Sequence, residues 1–321
     1  MTRLVGVELG RYRSRRAIAL LVLLTVLLAA FVAFKTAWDT RPMSQAEIAT
    51  ARAQADMDAH RSDIDADLRT CLSDPTKYLG TGATAQECRD SLVPSTHSYL
   101  PRAPLDLAGT LEGNGLALAV LVTALLLIAA CTFAGADWAT GSISTQLLFE
   151  PRRLRLWGAK ALAVTLASGV VALVTLGGFW LATYLVAQSR GIEVADTALH
   201  DVGWHLARAV VLAMGAGLGG YALTMLFRHT VATLALLFAY SVGGELLVTL
   251  PFEDAARWSL GNNVFGWLET SMRYLSPSDC SRAGECSPLR VMSHLDAGLY
   301  LLVLLLLAVV VSVIAFRRSD V

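Results

Sequence analysis

The chain contains no G-x-x-x-x-G-K-[ST] loop, so it has no glycine-rich cradle of its own for ATP phosphates. H-E-x-x-H and G-x-S-x-G are also absent, and no pair of aspartates stands inside an apolar run, which argues against an intramembrane enzyme. Charge is scarce: 16% of the 321 residues are Asp, Glu, Lys or Arg, against about a quarter in ordinary soluble domains. Lysine occurs only as Lys35, Lys77 and Lys160, and arginine supplies the other basic residues. That bias points to a GC-rich bacterial genome and says nothing of mechanism.

Long apolar runs fill the space that charge leaves. Hydrophobic residues make up 55% of the chain, and six runs approach or exceed the about 20 helical residues that cross a bilayer core: 17–34, 115–134, 161–187, 209–227, 230–250 and 295–316. They are expected to be helices because an open strand edge has no hydrogen-bond partners in lipid. The fold class predicted is therefore an all-α integral membrane protein with six transmembrane helices. A cleaved signal peptide is the competing reading of the first run; it is too long for a typical apolar region of that kind and no A-x-A site follows it, so an uncleaved span is expected.

Basic residues set the orientation. With the N-terminus inside, the inner segments hold Arg3, Arg11, Arg13, Arg15, Arg16, Arg152, Arg153, Arg155, Lys160, Arg228, Arg317 and Arg318, against only Glu8, Asp137, Glu150 and Asp320. Both termini are thus expected in the cytoplasm. The layout that follows is an interfacial helix at 1–16, a large extracytoplasmic domain at 35–114, a cytoplasmic loop at 135–160, an outer loop at 188–208, an outer re-entrant or interfacial region at 251–294, and a cytoplasmic tail at 317–321. Within 1–16, Leu4, Val5, Leu9 and Tyr12 fall near one helical face, which suits a helix on the inner leaflet or a plain basic anchor.

The loop GADWATGSISTQLLFEPRRLRLWGAK at 135–160 interrupts two apolar runs and carries the functional signal. It presents Asp137, then Gly141-Ser142, Leu147-Leu148, Pro151-Arg152-Arg153 and Gly158-Ala159-Lys160 in order. That order resembles the loop after the second membrane helix in the permease subunits of type-2 family ABC transporters, where an acid, a Gly-Thr pair, a Leu-Leu pair and a Pro-basic run precede Gly-x-Lys. Asp137 stands where that family more often has Glu, and Ser142 where it has Thr.

The resemblance implies an ATP-driven exporter whose ATPase is a separate chain carrying ATP and magnesium, with no cofactor on this one. It further implies two ATPase copies, a second permease copy in a homodimer, surrounding membrane lipid, and no nucleic acid. Docking to the ATPase falls on Asp137, Gly141, Ser142, Leu147, Leu148, Glu150, Arg152 and Arg153. The location implied is the bacterial cytoplasmic membrane, and the cargo an amphipathic, lipid-like, drug-like or peptide molecule. A sensor or immunity protein that binds an extracellular peptide through 35–114 remains the alternative.

Elsewhere the chain offers fewer signals. Ser44 and Glu47 have the spacing of a capping box, so a helix is expected to start there and run on through Leu72, with Ile64, Leu68, Cys71 and Leu72 on one face. Cys71, Cys88, Cys280 and Cys286 all fall on the expected oxidising side and suggest two disulfides; three pairings are possible, and the sequence-local Cys71–Cys88 and Cys280–Cys286 are favoured over a cysteine zinc site. Gly215 and Gly219 have the spacing of a close-packing face, and Gly177-Gly178 and Gly243-Gly244 offer the same. Glu245 is the acid deepest in an apolar run, about 22 Å along the helix from its start, and is expected either to pair with Arg208 or to face cargo. Phe265, Leu268, Met272 and Leu275 recur at helical spacing near Trp258 and Trp267 and suit short interfacial helices. His200 and His205 with Asp196 and Asp201 are read as interfacial polar residues rather than metal ligands.

Overall fold

The computed structural model describes residues 2–80, 83–244, 255–269, 272–275 and 289–318. The elements in chain order are α1 (Thr2–Ser14), α2 (Arg16–Asp39), α3 (Gln45–Ala59), α4 (Ser62–Ser73), α5 (Pro75–Leu79), α6 (Ala85–Leu92) and α7 (Leu107–Ala139), the last with one π turn at Leu111–Gly115. There follow α8 (Ser142–Phe149), α9 (Arg153–Ser189), α10 (Asp196–Phe227), α11 (Thr230–Ala239), α12 (Leu260–Leu268), β1 (Met272–Leu275), β2 (Leu289–Met292) and α13 (His294–Arg318). Among the described residues, α2, α7, α9, α10 and α13 are five helices long and apolar enough to cross a membrane, the signature of a multi-pass membrane protein. The run expected at 230–250 begins as α11 and one π turn, Tyr240–Gly244; its remainder, including Glu245, lies outside the described residues.

Several of the long helices outrun the apolar segments that predict them, α7 among them, since it starts at Leu107 and not at 115. The run at 161–187 belongs to α9, which starts at Arg153, and the run at 209–227 belongs to α10, which starts at Asp196. Helical hydrogen bonding does not stop where an apolar run stops, so the turns at 153–160, which carry Arg153, Arg155 and Lys160, continue the helix.

The chain divides into two compact units, 1–34 with 107–321, and 35–106. In the first, α7 packs against α10, α10 packs against α9 and α13, and α1 runs along α9. One buried cluster joins Phe133, Trp157, Tyr221 and Phe316; a second joins Val122, Leu126, Leu176, Phe179, Trp180 and Leu268. By contrast α2 and α13 bury only 17% and 11% of their most apolar windows, as expected where lipid takes the place of protein neighbours.

Close helix contact falls on different glycines from those expected. At Gly215 and Gly219 a Cβ would meet Leu305 in ordinary contact, at 3.7 and 3.5 Å, and at Gly178 it would meet nothing. Gly220, however, presses on the Leu127 carbonyl, where a Cβ would lie 2.9 Å away, and one on Gly135 would overlap Thr230 down to its backbone nitrogen. These two positions bring α10 and α11 against α7, which a small-x-x-x-small pattern does not reveal because it reports spacing and not the partner.

The all-helical expectation needs one correction. β1 and β2 form an antiparallel pair with Met272 opposite Met292 and Leu275 opposite Leu289. Phe265 and Leu268 do lie in α12, but Glu269 ends that helix in extended backbone at φ −84° and ψ 153°, and Met272 and Leu275 follow in β1. A strand of four residues is too short for its own period to outweigh the helical spacing of the residues before it, and the hydrogen-bonding partner decides.

The unit at 35–106 is small and has little apolar core: Ala51, Ala55, Leu105 and the two cysteines are its buried apolar residues among those described. Its order comes from local polar devices. Ser44 and Glu47 form a complete capping box at α3, and Thr84 with Glu87 repeats it at α6. Arg102 donates to Glu47 at 2.7 Å, and Tyr99 donates to Asp58. Cys71 is bonded to Cys88, while Cys280 and Cys286 lie outside the described residues. The single helix expected from Ser44 through Leu72 is two, α3 and α4, because Arg61 adopts extended backbone and Asp63 and Asp65 then fall in a first turn, where acids favour a new helix start.

Candidate functional site

The loop between α7 and α9 is built from a turn, a short helix and a stop. Gly141 takes φ +67°, a left-handed conformation that costs glycine least, and its N–H donates to the Trp138 carbonyl at 3.1 Å. The chain reverses there and enters α8. Glu150 then adopts extended backbone, at φ −127° and ψ 90°, as the residue before a proline prefers. α8 is thus confined to Ser142–Phe149.

Its side chains divide by face. Ile143 is 1% exposed and joins the cluster of Phe133 and Trp157, with Leu147 packed half-buried against the same cluster. Leu148 and Phe149 point away and are 83% and 87% exposed. Of the Leu147-Leu148 pair expected to dock, only Leu148 is presented; Leu147 anchors α8, since the i, i+4 spacing from Ile143 puts both on the inner face.

Beside α8 lies a group of five charges, with Glu8, Asp137 and Lys160 buried and Arg11 and Arg15 partly so. Asp137, fully buried on α7, accepts from Lys160 Nζ at 2.5 Å, from Arg11 Nη2 at 3.1 Å and from Arg15. Ser142 Oγ of α8 donates to the same carboxylate at 3.0 Å, and Gln146 donates to Ser142 at 3.0 Å. Glu8 of α1 accepts from Lys160 at 2.8 Å and from Arg11 at 3.2 Å. The Phe133 ring lies against two of the cations, with Lys160 Nζ and the Arg15 guanidinium each 5.1 Å from its centroid. Tyr12 packs on that ring as well, 5.3 Å between centroids, and burial pushes its hydroxyl up to about 12.

All four carboxylate oxygens of Glu8 and Asp137 therefore hold a cationic donor. Each carboxylate thus bridges cations at both of its oxygens, which makes the group an ionic tie between elements. It ties α1, α7, α8 and α9 at one point. Glu8, Arg11 and Arg15 were not among the expected site residues, although Glu8 interrupts the apolar stripe of Val5, Leu9 and Tyr12, and an acid on such a stripe is the signal that marks it. α1 does not simply lie on a leaflet: Leu4, Val5 and Leu9 pack on Ala159 and Ala163 of α9.

The other expected site residues are scattered. Glu150 is half-buried, Arg152 is exposed, and Arg153 donates to the Phe316 carbonyl at 3.4 Å. Arg208 reaches the His294 ring, whose Nδ1 is 2.9 Å from the Gly266 carbonyl, and Trp267 donates to the Arg208 carbonyl at 2.9 Å. Its described partner is thus a histidine on α13, while the expected Glu245 partner lies outside the described residues. His200 accepts from Trp204 at 2.9 Å, whereas buried His205 faces the Leu268 carbonyl at 3.3 Å. Among the described residues, no three His, Cys, Asp or Glu side chains group as metal ligands.

Comparison with family models, with curated proteins and with solved structures finds no match to this chain.

Proposed function

We propose that this chain is the membrane subunit of an ATP-driven exporter of the type-2 ABC class, with six spans, both termini in the cytoplasm and the 35–106 unit outside. The observation that carries the reading is the form of α8: a two-turn helix between two membrane helices, anchored by Ile143 and Leu147 and offering Leu148 and Phe149 to water. Adjacent large apolar side chains held out by a fixed helix have the form of a knob for a partner's groove. The order of Asp137, Gly141-Ser142, Pro151-Arg152-Arg153 and Lys160 is that of the resemblance.

In this reading the partner is an ATPase of separate chain, two copies serving two copies of this subunit. Closure of the ATPase dimer on ATP moves α8. The charge joint passes that motion to α1, α7 and α9, because Ser142 of α8 is hydrogen-bonded to Asp137 of α7, and that carboxylate is held in turn by Arg11 of α1 and Lys160 of α9. Access to the cargo path then alternates between the two sides. Apolar lipid-facing surface favours an amphipathic or lipid-like cargo over a small ion.

Co-purification tests this. Changing Leu148 and Phe149 together to Ala removes burial worth about 2–4 kcal/mol for two partly buried large side chains, so ATPase recovered with the chain is expected to fall at least tenfold while insertion is unchanged. Normal ATPase recovery and stimulation in that variant would remove the docking reading.

A further inference from the structure

A second site lies where α9 begins and α13 ends. Arg152, Arg153, Leu154, Arg155 and Arg317 line an open cleft of about 470 Å³, and among these described residues none is acidic. The cleft is assembled from residues far apart in sequence: Arg153 donates to the Phe316 carbonyl at 3.4 Å, which seats the start of α9 against the end of α13 and brings Arg317 beside Arg155.

Two features make this more than a row of solvated arginines. The first turn of α9 has neither an acid nor a side-chain cap, so arginines stand at the positive end of a 37-residue helix, where cations are unfavourable and an anion is favoured. Depth is the second feature. Arg153 opens one membrane-spanning helix and Arg317 closes another, while Leu154 between them is 47% exposed; the cleft therefore opens where apolar helix surface meets water, at the level of lipid headgroups. Guanidinium groups match phosphate oxygens two at a time.

We propose that this cleft binds a phosphate ester, supplied by the headgroup of an anionic phospholipid lying beside α9 and α13. The proposal is independent of the transport reading, since neither Arg155 nor Arg317 belongs to the α8 knob or to the buried joint.

The test uses the full chain, purified and held in a zwitterionic detergent, titrated with short-chain phosphatidylglycerol, with phosphatidylcholine of equal chain length, and with inorganic phosphate. Phosphatidylglycerol is expected to bind and raise the unfolding midpoint, and phosphatidylcholine to do so far less. R155Q/R317Q is expected to weaken the phosphatidylglycerol response about thirtyfold, the conversion of ~1 kcal/mol for each basic residue at an anionic surface. R13Q/R16Q removes the same charge from exposed positions on α1 and α2 and is expected to change it less than threefold. Equal loss in both variants would reduce the effect to general attraction and overturn the site, as would no loss in R155Q/R317Q. Inorganic phosphate that binds as tightly, and is lost in R155Q/R317Q alone, would overturn the lipid source. If R155Q/R317Q does not fold, R155K/R317K decides: a severalfold loss is expected because lysine cannot grip two oxygens at once, and wild-type binding would overturn the site.

Discussion

The two units of this chain use the same ionic chemistry in opposite surroundings. In the membrane unit, Lys160, Glu8 and Asp137 are each 3% exposed or less, whereas in the 35–106 unit Arg61 and Asp63 pair with 58% and 59% of their side chains in water. Water screens the second pair and already solvates both partners, so its contribution lies near the 0–1 kcal/mol typical of surface pairs. In the buried group the attraction is strong, but so is the cost of having taken the charges out of water. What the joint secures is therefore less net stability than the requirement that its members stay together. A surface pair can open freely; this one cannot.

The largest effect expected from breaking that contrast is at Lys160. Lys160→Met keeps the length of the side chain but leaves one oxygen each of Glu8 and Asp137 without its cation, and loss of one partner of a buried pair costs about 3–5 kcal/mol. Thermal unfolding of the purified chain should show it, with R61Q in the other unit as the near-silent comparison. Adding Glu8→Leu to Lys160→Met removes the stranded charge from α1 and should recover part of the loss; a double variant no better than the single would mean that Glu8 and Lys160 are not coupled.

The disulfide is the next largest. A unit with so little apolar core depends on covalent closure, and the Cys71–Cys88 bridge encloses a separation of 17 residues, for which about 2–4 kcal/mol is typical. C71A/C88A should open α4 and α6 to hydrogen exchange and leave the protection of α7, α9 and α10 as it was. Loss of protection across the membrane helices as well would show that the two units do not unfold separately.

How much of this was readable beforehand follows the same division. Apolar runs locate membrane helices because lipid imposes one rule on every residue, and the Ser44–Glu47 box locates the start of α3 because a cap is a local device. Helix ends are not legible at Leu107, Arg153 and Asp196, where hydrogen bonding continues past the apolar residues that mark the span. The second capping box, Thr84 with Glu87, has the same spacing as the first and is legible by the same rule. What no local pattern contains is partnership: Lys160 meets Glu8 across 152 positions of sequence, and Gly135 meets Thr230 across a turn between other helices. Asp137 was legible as a loop acid of consequence, but its burial was not, since burial is decided by α1 folding back over α9. Likewise Leu148 and Phe149 are separated from Leu147 only by which way α8 is turned, and Ile143 sets that.

The smallest effect expected lies in the exposed polar devices of the 35–106 unit and distinguishes a cap from a mere surface charge. Glu47 accepts the Ser44 backbone N–H at 2.8 Å and Arg102 at 2.7 Å, and these bonds, the backbone one foremost, hold its carboxyl down at about 2. A carboxyl depressed by folding adds stability that is complete above its unfolded value, near 4.3, and lost as pH falls through the folded value. The window is therefore from about pH 4.5 down to about pH 2. Hydrogen exchange at the first turn of α3, measured on the full chain with its disulfide intact, should quicken across that window after correction for intrinsic rates. Glu47→Gln keeps an acceptor for the Ser44 N–H but has nothing to titrate, so its exchange should be faster at neutral pH and should meet the wild-type value near pH 2. Parallel curves for the two proteins would mean that other carboxylates drive the change and that the Ser44–Glu47 box adds no ionic stabilisation to α3.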